Sequence, residues 1–251
     1  VTRLSLPKWL CTAVSAVTLL PLISPPFTSS IALTLSLGPN GILLDFFGLG
    51  NFNFYGFWGT FISETLTFFP VAFMTLSTIL ARIDPNLEDA AYSLGASSFK
   101  VFRTVTLPLA APGIANAFLL VFSCSLADFA TPQVLGGHSF PVLPTQAYLV
   151  ITGMYDFKGG AALSFMLLIP AIIVYSLQRW WVGKKSYVTV SGKAGGRSSV
   201  KGPGPLLSSV IVATVAVVIA FILYLYAIIL TGSLVKVWGV NNEITLENYS
   251  Y

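Results

Sequence analysis

Long apolar runs are the feature that most constrains the fold of this chain. Residues 57–81 form one such run. Its length of about 25 residues lets a helix that rises about 1.5 Å per residue cross a hydrocarbon core of about 30 Å. Three further runs are predicted to span a membrane as well: residues 109–130, 160–182 and 206–231. Only 9% of the residues are charged, whereas soluble domains carry about 25%. We therefore predict an all-α, polytopic membrane protein, built as a bundle of transmembrane helices.

The first fifty residues are less regular. The apolar run that starts at Trp9 is interrupted by prolines, so it is predicted to cross the membrane once and to end irregularly. Residues 29–50 contain apolar pieces that are short and separated by glycines, which favours a periplasmic or re-entrant segment. No small-residue cleavage site follows the first run, so it does not read as a signal peptide. We expect the chain to begin partway through a longer protein.

The positive charges predict the orientation of the spans. Strict alternation places residues 1–8, 82–108 and 183–205 on one side of the membrane. Eleven Lys and Arg residues lie in these regions or at their margin: Arg3, Lys8, Arg82, Lys100, Arg103, Arg179, Lys184, Lys185, Lys193, Arg197 and Lys201. Only Lys158 and Lys236 fall on the other side. Because cytoplasmic loops carry the excess of Lys and Arg, residues 82–108 are predicted to be cytoplasmic.

The first part of this polar loop is patterned as a helix. Asp84 is a suitable N-cap and Pro85 a suitable first helical residue. Glu88 and Asp89 follow close to the positive end of the helix dipole, and Gly95 is a natural stop. Helical spacing gives a narrow apolar face formed by Leu87, Ala90, Ala91 and Leu94. A short amphipathic helix is therefore predicted between two spans.

A second short helix is predicted directly after the first. Ser97 and Ser98 are suitable caps for it. It would carry two aromatic and two basic residues, Phe99, Lys100, Phe102 and Arg103, until Leu107-Pro108 turns the chain back into the membrane. Composition alone leaves open that this helix pair is only an interfacial connection between two spans.

The spacing in this loop resembles a known motif. At the intervals of the EAA loop of binding-protein-dependent ABC importer permeases, the chain carries Asp89-Ala90-Ala91, Gly95, Val105 and Leu107-Pro108. The family pattern has Glu in place of Asp89 and Ile in place of Val105, and both differences keep the chemistry of the position. Residues 87–108 are called the EAA loop below.

The resemblance implies a MetI-like (type I) importer permease in which the EAA loop provides a coupling helix. In that family the loop inserts into a cleft on a cytoplasmic ABC ATPase dimer, so that closure of the ATPase moves the spans. The residues that the resemblance assigns to this docking contact are Glu88, Asp89, Ala90, Ala91, Leu94, Gly95, Leu107 and Pro108.

The chain carries no phosphate loop of its own. The Gly-rich, basic stretch at residues 191–199 lacks the spacing G-x-x-x-x-G-K-[ST]. The resemblance therefore implies that ATP is bound and hydrolysed by a separate subunit, and that this chain is not an enzyme and holds no cofactor or metal directly. The expected partners are the ATPase dimer, a periplasmic or extracellular solute-binding protein, the lipid bilayer and a second permease half or copy, with no nucleic acid.

Three other stretches resemble the ferric-iron branch of these permeases: residues 64–80, 125–137 and 178–193. That branch also includes aminoethylphosphonate and some polyamine-type importers, and in it two permease halves are fused. The resemblance implies that residues 1–182 are most of a first half, 183–205 a cytoplasmic linker, and 206–251 the first span and periplasmic start of a second half. It also implies the bacterial inner membrane and ferric iron as the substrate.

Two acidic residues are predicted at membrane depth. Glu64 lies about two turns into its span and Asp128 toward the outer end of the next one. Acids in spans usually face the bundle interior or a water-filled path, so both are candidates for the translocation path. Packing by hydrogen-bonded carboxyl groups is the alternative for each.

The remaining reactive residues do not indicate an enzyme. The one histidine, His138, follows two glycines in a loop and reads as a surface residue. Cys11 and Cys124 lie in apolar runs without metal-ligand spacing, which favours buried small side chains. An ion-coupled secondary transporter or channel remains an alternative, although it gives no reason for the EAA spacing.

Overall fold

A computed structural model describes residues 7–39, 41–48, 53–137, 140–184 and 205–250. The predictions for His138 and for most of the linker, residues 185–204, lie outside these ranges. The helices are α1 (Lys8–Ile23), α2 (Thr28–Leu37), α3 (Ile42–Phe46), α4 (Phe57–Arg82), α5 (Pro85–Ser93), α6 (Ser98–Val101), α7 (Leu107–Ala127), α8 (Ala130–Leu135), α9 (Leu143–Gly153), α10 (Phe157–Lys184) and α11 (Pro205–Ser233). A π-helical turn (Phe102–Thr106) joins α6 to α7. Strands β1 (Val235–Val237) and β2 (Asn241–Ile244) precede a 3-10 turn (Glu247–Tyr249).

Four helical segments in the described ranges are long and apolar enough to cross a membrane. They are Phe57–Arg82, Ser98–Ala127, Phe157–Trp180 and Leu206–Ser233. Such runs form helices because a backbone in lipid must satisfy its hydrogen bonds internally. The predicted all-α, polytopic class is confirmed. The second segment begins well before residue 109, where the sequence placed the start of the span.

The break after α1 contains Pro25 and Pro26. Helix α1 and the segment that follows it, Thr28–Leu44, are bent by 97° and together form a broken span or a re-entrant loop. The expected irregular end of the first run is therefore confirmed. Within the uncertain segment 29–50, α2 buries Ala32 and Leu33 completely.

Contacts divide the described residues into two compact units. The first unit holds residues 7–15, 71–123, 170–184 and 205–216, and the second holds residues 16–70, 124–169 and 217–250. The EAA loop lies within the first unit, and Glu64 and Asp128 lie within the second.

The second unit has an apolar core with polar ties between helices. The core consists of Ala32, Leu33, Phe54, Leu135 and Leu225. Helix α11 joins it through Tyr224, whose hydroxyl lies 3.0 Å from that of the buried Ser36. The indole of Trp238 donates to the carbonyl oxygen of Leu35 at 2.9 Å, which attaches the turn of the hairpin to α2. The antiparallel hairpin was not predicted from the sequence.

The first unit contains a close helix contact at Gly113. An added Cβ there would lie 2.1 Å from Cδ1 and 2.7 Å from Cγ2 of Ile79, so α7 approaches α4 more closely than a side chain permits. A second contact joins α7 to α10, because the Gln178 side-chain amide donates to the Asn116 amide oxygen at 2.5 Å. Both contacts fix α7, the span that follows the EAA loop.

We expect Gly113→Val to weaken this packing by about 1–3 kcal/mol, because the new methyl groups force Ile79 or α4 to move. Thermal unfolding of the purified protein in detergent measures the effect. Gly153→Val is the matched control, since a Cβ at Gly153 meets no atom within 4 Å. Equal unfolding temperatures for the two variants would contradict the packing described here.

Candidate functional site

Helix α5 begins as the sequence predicts. Asp84 is the N-cap, with an extended backbone, and its carboxylate accepts a hydrogen bond from the Asn86 N–H at 3.0 Å. Pro85 occupies the first helical position, where its missing N–H costs nothing. These local interactions fix the direction in which the EAA loop leaves α4.

The end of α5 depends on Gly95. The helix ends at Ser93, and Gly95 has a φ of +82°, in the left-handed region that glycine adopts without steric cost. The N–H of Gly95 donates to the Tyr92 carbonyl and that of Ala96 to the Ala91 carbonyl, so two carbonyls of the last helical turn are satisfied. A Cβ at Gly95 would meet no atom within 4 Å. The backbone conformation, and not the available space, therefore demands glycine here.

The second short helix is only partly as predicted. Ser97 is the N-cap of α6 and accepts from the Lys100 N–H at 3.4 Å, which confirms the expected cap. The turn expected at Leu107-Pro108 is wrong, because the helix continues from Ser98 to Ala127. The π turn before Pro108 supplies the physical reason. The Leu107 N–H donates to the Phe102 carbonyl five residues back, and this wider turn gives the proline ring room inside the helix.

Glu88 lies inside the loop and not on its surface. Only 3% of its surface is exposed, and its Oε1 accepts a hydrogen bond from the Thr106 hydroxyl at 2.7 Å. Thr106 is buried as well and is the last residue of the π turn. This bond ties the first turn of α5 to the base of the following span.

The apolar face of α5 is exposed. Leu94 is 89% exposed and Leu87 is 47% exposed, and Ala90 lies between them in the open, while Ala91 is half-buried. Asp89, the acid of the EAA pattern, is half-buried. The loop thus presents leucine side chains around small residues, a surface that suits insertion into an apolar cleft.

Two aromatic residues of the same loop are exposed as well. Phe99 and Phe102 are exposed on α6 and the π turn, close in sequence to Lys100 and Arg103. Sequence reasoning assigned them to the second helix but not to the docking contact. Their exposure makes them further candidates for that contact.

Glu64 forms part of a polar stripe in the second unit. The Ser125 hydroxyl donates to its Oε2, which connects α4 to α7. Thr60, Ser63 and Thr67 lie on the same face of α4 at positions four and one before it and three after it. The Oγ1 atoms of Thr60 and Thr67 are buried and have no hydrogen-bond partner among the described residues. The spacing of these hydroxyl residues could have been found from the sequence.

One of the two carboxylate oxygens of Asp128 has a structural role. Its Oδ1 accepts from the N–H groups of Ala130 at 3.0 Å and Thr131 at 3.4 Å, at the start of α8. Its Oδ2 is buried without a hydrogen-bond partner in the part of the chain that the structure describes. The two predicted intramembrane acids therefore differ, because Glu64 joins two spans while Asp128 orders the turn between α7 and α8.

Comparison with known proteins assigns the chain to a family. The sequence profile of the family described as "Binding-protein-dependent transport system inner membrane component" matches residues 2–186. This chain belongs to that family. The match includes the whole EAA loop. The family that Asp89, Gly95 and Leu107 indicated is therefore confirmed.

Several curated relatives align with most of this chain. A putative ferric transport system permease protein of Haemophilus influenzae is 40% identical over 238 residues, which is 92% of this chain and 37% of the relative. The ferric transport system permease protein of Actinobacillus pleuropneumoniae is also 40% identical, over 92% of this chain and 34% of its own length. The molybdenum transport system permease protein of Escherichia coli is 30% identical over 64% of this chain and 72% of the relative. The chain thus spans about a third of the length of the ferric relatives it matches.

Proposed function

We propose that this chain is part of the membrane-spanning permease of an ATP-driven, binding-protein-dependent importer. The observation that carries the proposal is the EAA loop: a capped helix, α5, ends at a left-handed Gly95 and exposes Leu94 within a family-matched region. An ion-coupled carrier would need no such surface. In the proposed importer, this chain forms part of the path of the solute and does not itself catalyse a reaction.

The EAA loop is proposed to dock into a cytoplasmic ABC ATPase dimer that binds and hydrolyses ATP. Leu87, Leu94 and Ala90 supply an apolar contact of modest size, and the half-buried Asp89 can meet a basic group of the ATPase at the edge of that contact. Leu107 and Pro108 belong to the helix that receives the motion and need not touch the ATPase. Glu88 is proposed to position the loop instead of contacting the partner.

The proposed location is the bacterial inner membrane, with the EAA loop and the linker cytoplasmic. The distribution of Lys and Arg supports this orientation, since only Lys158 and Lys236 fall on the opposite side. On that side a solute-binding protein would deliver the substrate. A second permease half, fused or separate, would complete the path.

Ferric iron is the proposed substrate. The ferric permeases are 40% identical over nearly the whole chain, whereas the molybdenum permease is 30% identical over 64% of it. Aminoethylphosphonate and polyamine-type solutes remain the alternatives within the same kind of importer. Because a separate binding protein selects the solute in such systems, the permease itself needs no tight iron site.

Glu64 is the proposed contributor to the translocation path. It lies inside a span on a face rich in hydroxyl groups, some of which have unsatisfied hydrogen-bonding capacity among the described residues. Asp128 is proposed to support the same polar stripe. Its Oδ1 accepts a hydrogen bond at the start of α8.

Uptake into sealed vesicles tests the proposed function. The full-length protein is reconstituted with the ATPase and ferric-binding protein of the same organism, and accumulation of radiolabelled Fe³⁺ is measured. We expect uptake only when ATP, the ATPase and the binding protein are all present. Uptake that persists without the ATPase and stops when ion gradients are collapsed would establish an ion-coupled carrier instead. Molybdate and putrescine, supplied with their own binding proteins, serve as substrate controls.

A further inference from the structure

Two ties between α5 and the following span can be described in detail. One is the covalent chain through Gly95, Ala96 and Ser97, which contains the single left-handed residue of the loop. The other is the hydrogen bond from Thr106 Oγ1 to Glu88 Oε1 at 2.7 Å, which connects the opposite end of α5 directly to the base of α7. Relative to the following span, a helix attached only through a glycine turn can change its angle at that turn. A second tie at Glu88 restricts this change of angle.

The surroundings of this bond favour a mechanical role. Both side chains are buried, at 3% exposure for Glu88 and 8% for Thr106, so the bond is shielded from competing water. Thr106 ends the π turn, and from Ser98 onward the helix runs without interruption to Ala127. A displacement applied to α5 at Glu88 therefore reaches a continuous helix and not a flexible loop.

We propose that Glu88 and Thr106 form a latch that makes α5 and the span Ser98–Ala127 move as one body. This inference rests on the proposed function, because the latch matters only if a partner pushes on α5. Both are proposed as positioning residues, since both side chains are buried. The latch makes transport efficient, whereas the exposed leucines provide the docking contact.

Threonine substitutions separate the latch from docking. Thr106→Val keeps the shape of the side chain and removes the donor, while Thr106→Ser keeps the hydroxyl. Thr104→Val is the matched control, since the Thr104 hydroxyl is exposed and donates only within its own helix, to the Lys100 carbonyl at 2.7 Å. For Thr106→Val we expect Fe³⁺ uptake per ATP hydrolysed to fall about two- to tenfold, the range that one hydrogen bond supports. The ATPase should remain bound. Thr106→Ser and Thr104→Val should behave like the unaltered protein.

Hydrogen exchange gives a readout that does not require transport. In the full-length protein with its ATPase, Thr106→Val should speed exchange of the amides in residues 85–93 and leave α4 and α10 unchanged. A general loss of stability would instead speed exchange in all of these helices.

Two results would overturn the latch. The first is equal uptake per ATP in Thr106→Val and Thr104→Val, and the second is an uptake loss that only follows loss of the ATPase from the complex. If the unaltered protein itself fails to bind the ATPase or to use ATP, the proposed function fails and the latch with it. That result is distinguished from the others because it appears before any substitution is made.

Discussion

Gly95→Val is expected to reduce Fe³⁺ uptake at least tenfold and to release most of the ATPase from the full-length protein. A β-branched residue cannot adopt the φ of +82° found at Gly95 without strain of about 1–3 kcal/mol. Unwinding the end of α5 relieves this strain at the lowest cost, and it moves Leu94 away from its place on the proposed docking surface. Uptake into vesicles and co-purification of the ATPase measure both consequences.

Gly48→Val is the control for this substitution. Gly48 also has a positive φ, +65°, and open space around its Cβ position, but it lies outside the EAA loop. The control carries the same kind of strain, so we expect a similar loss of stability with uptake retained per folded molecule. If Gly95→Val bound the ATPase and transported as well as Gly48→Val, the shape of the loop end would be irrelevant to docking.

Glu64→Gln is expected to slow Fe³⁺ uptake by about tenfold, equivalent to a barrier about 1.4 kcal/mol higher. The amide oxygen of glutamine can still accept the hydrogen bond from Ser125, so the tie between α4 and α7 survives and only the capacity for negative charge is lost. The ATPase should stay bound, because Glu64 lies in a different unit from the EAA loop. Initial uptake rates at several Fe³⁺ concentrations give the result.

Ser125→Ala is the complementary variant for Glu64. It removes the hydrogen bond and keeps the carboxyl group, so a packing role predicts that Ser125→Ala is the more harmful of the two changes. A role in the path predicts the reverse order. Normal uptake by Glu64→Gln together with impaired uptake by Ser125→Ala would assign Glu64 to packing.

Local features of the EAA loop were predictable from the sequence. The caps at Asp84 and Ser97 and the stop at Gly95 depend on residues within three or four positions of each other, so spacing alone determines them. The spans were predictable for a related reason, since apolar length is a property of a continuous stretch.

Three features were not evident from spacing, and two of them depend on distant contacts. The resemblance assigned Glu88 to the docking contact, and spacing alone could not show that Glu88 is buried and accepts a hydrogen bond from Thr106, eighteen residues later. The helix continues through Leu107-Pro108 because a π turn precedes these two residues. No sequence pattern in residues 102–106 predicts that turn. The hairpin of β1 and β2 is held in part by Trp238 on Leu35, a contact between opposite ends of the chain.

Site-specific cross-linking at position 94 tests the central claim most directly. A photoreactive residue replaces Leu94, which is 89% exposed, in the full-length protein in native membranes with its ATPase, and Met154, also largely exposed, is replaced as the control. We predict a cross-link from position 94 to the ATPase, with a yield that changes between the nucleotide-free and ATP-bound states, and none from position 154. Absence of the cross-link at position 94, or equal cross-linking from both positions, would contradict the assignment of the EAA loop as the ATPase contact.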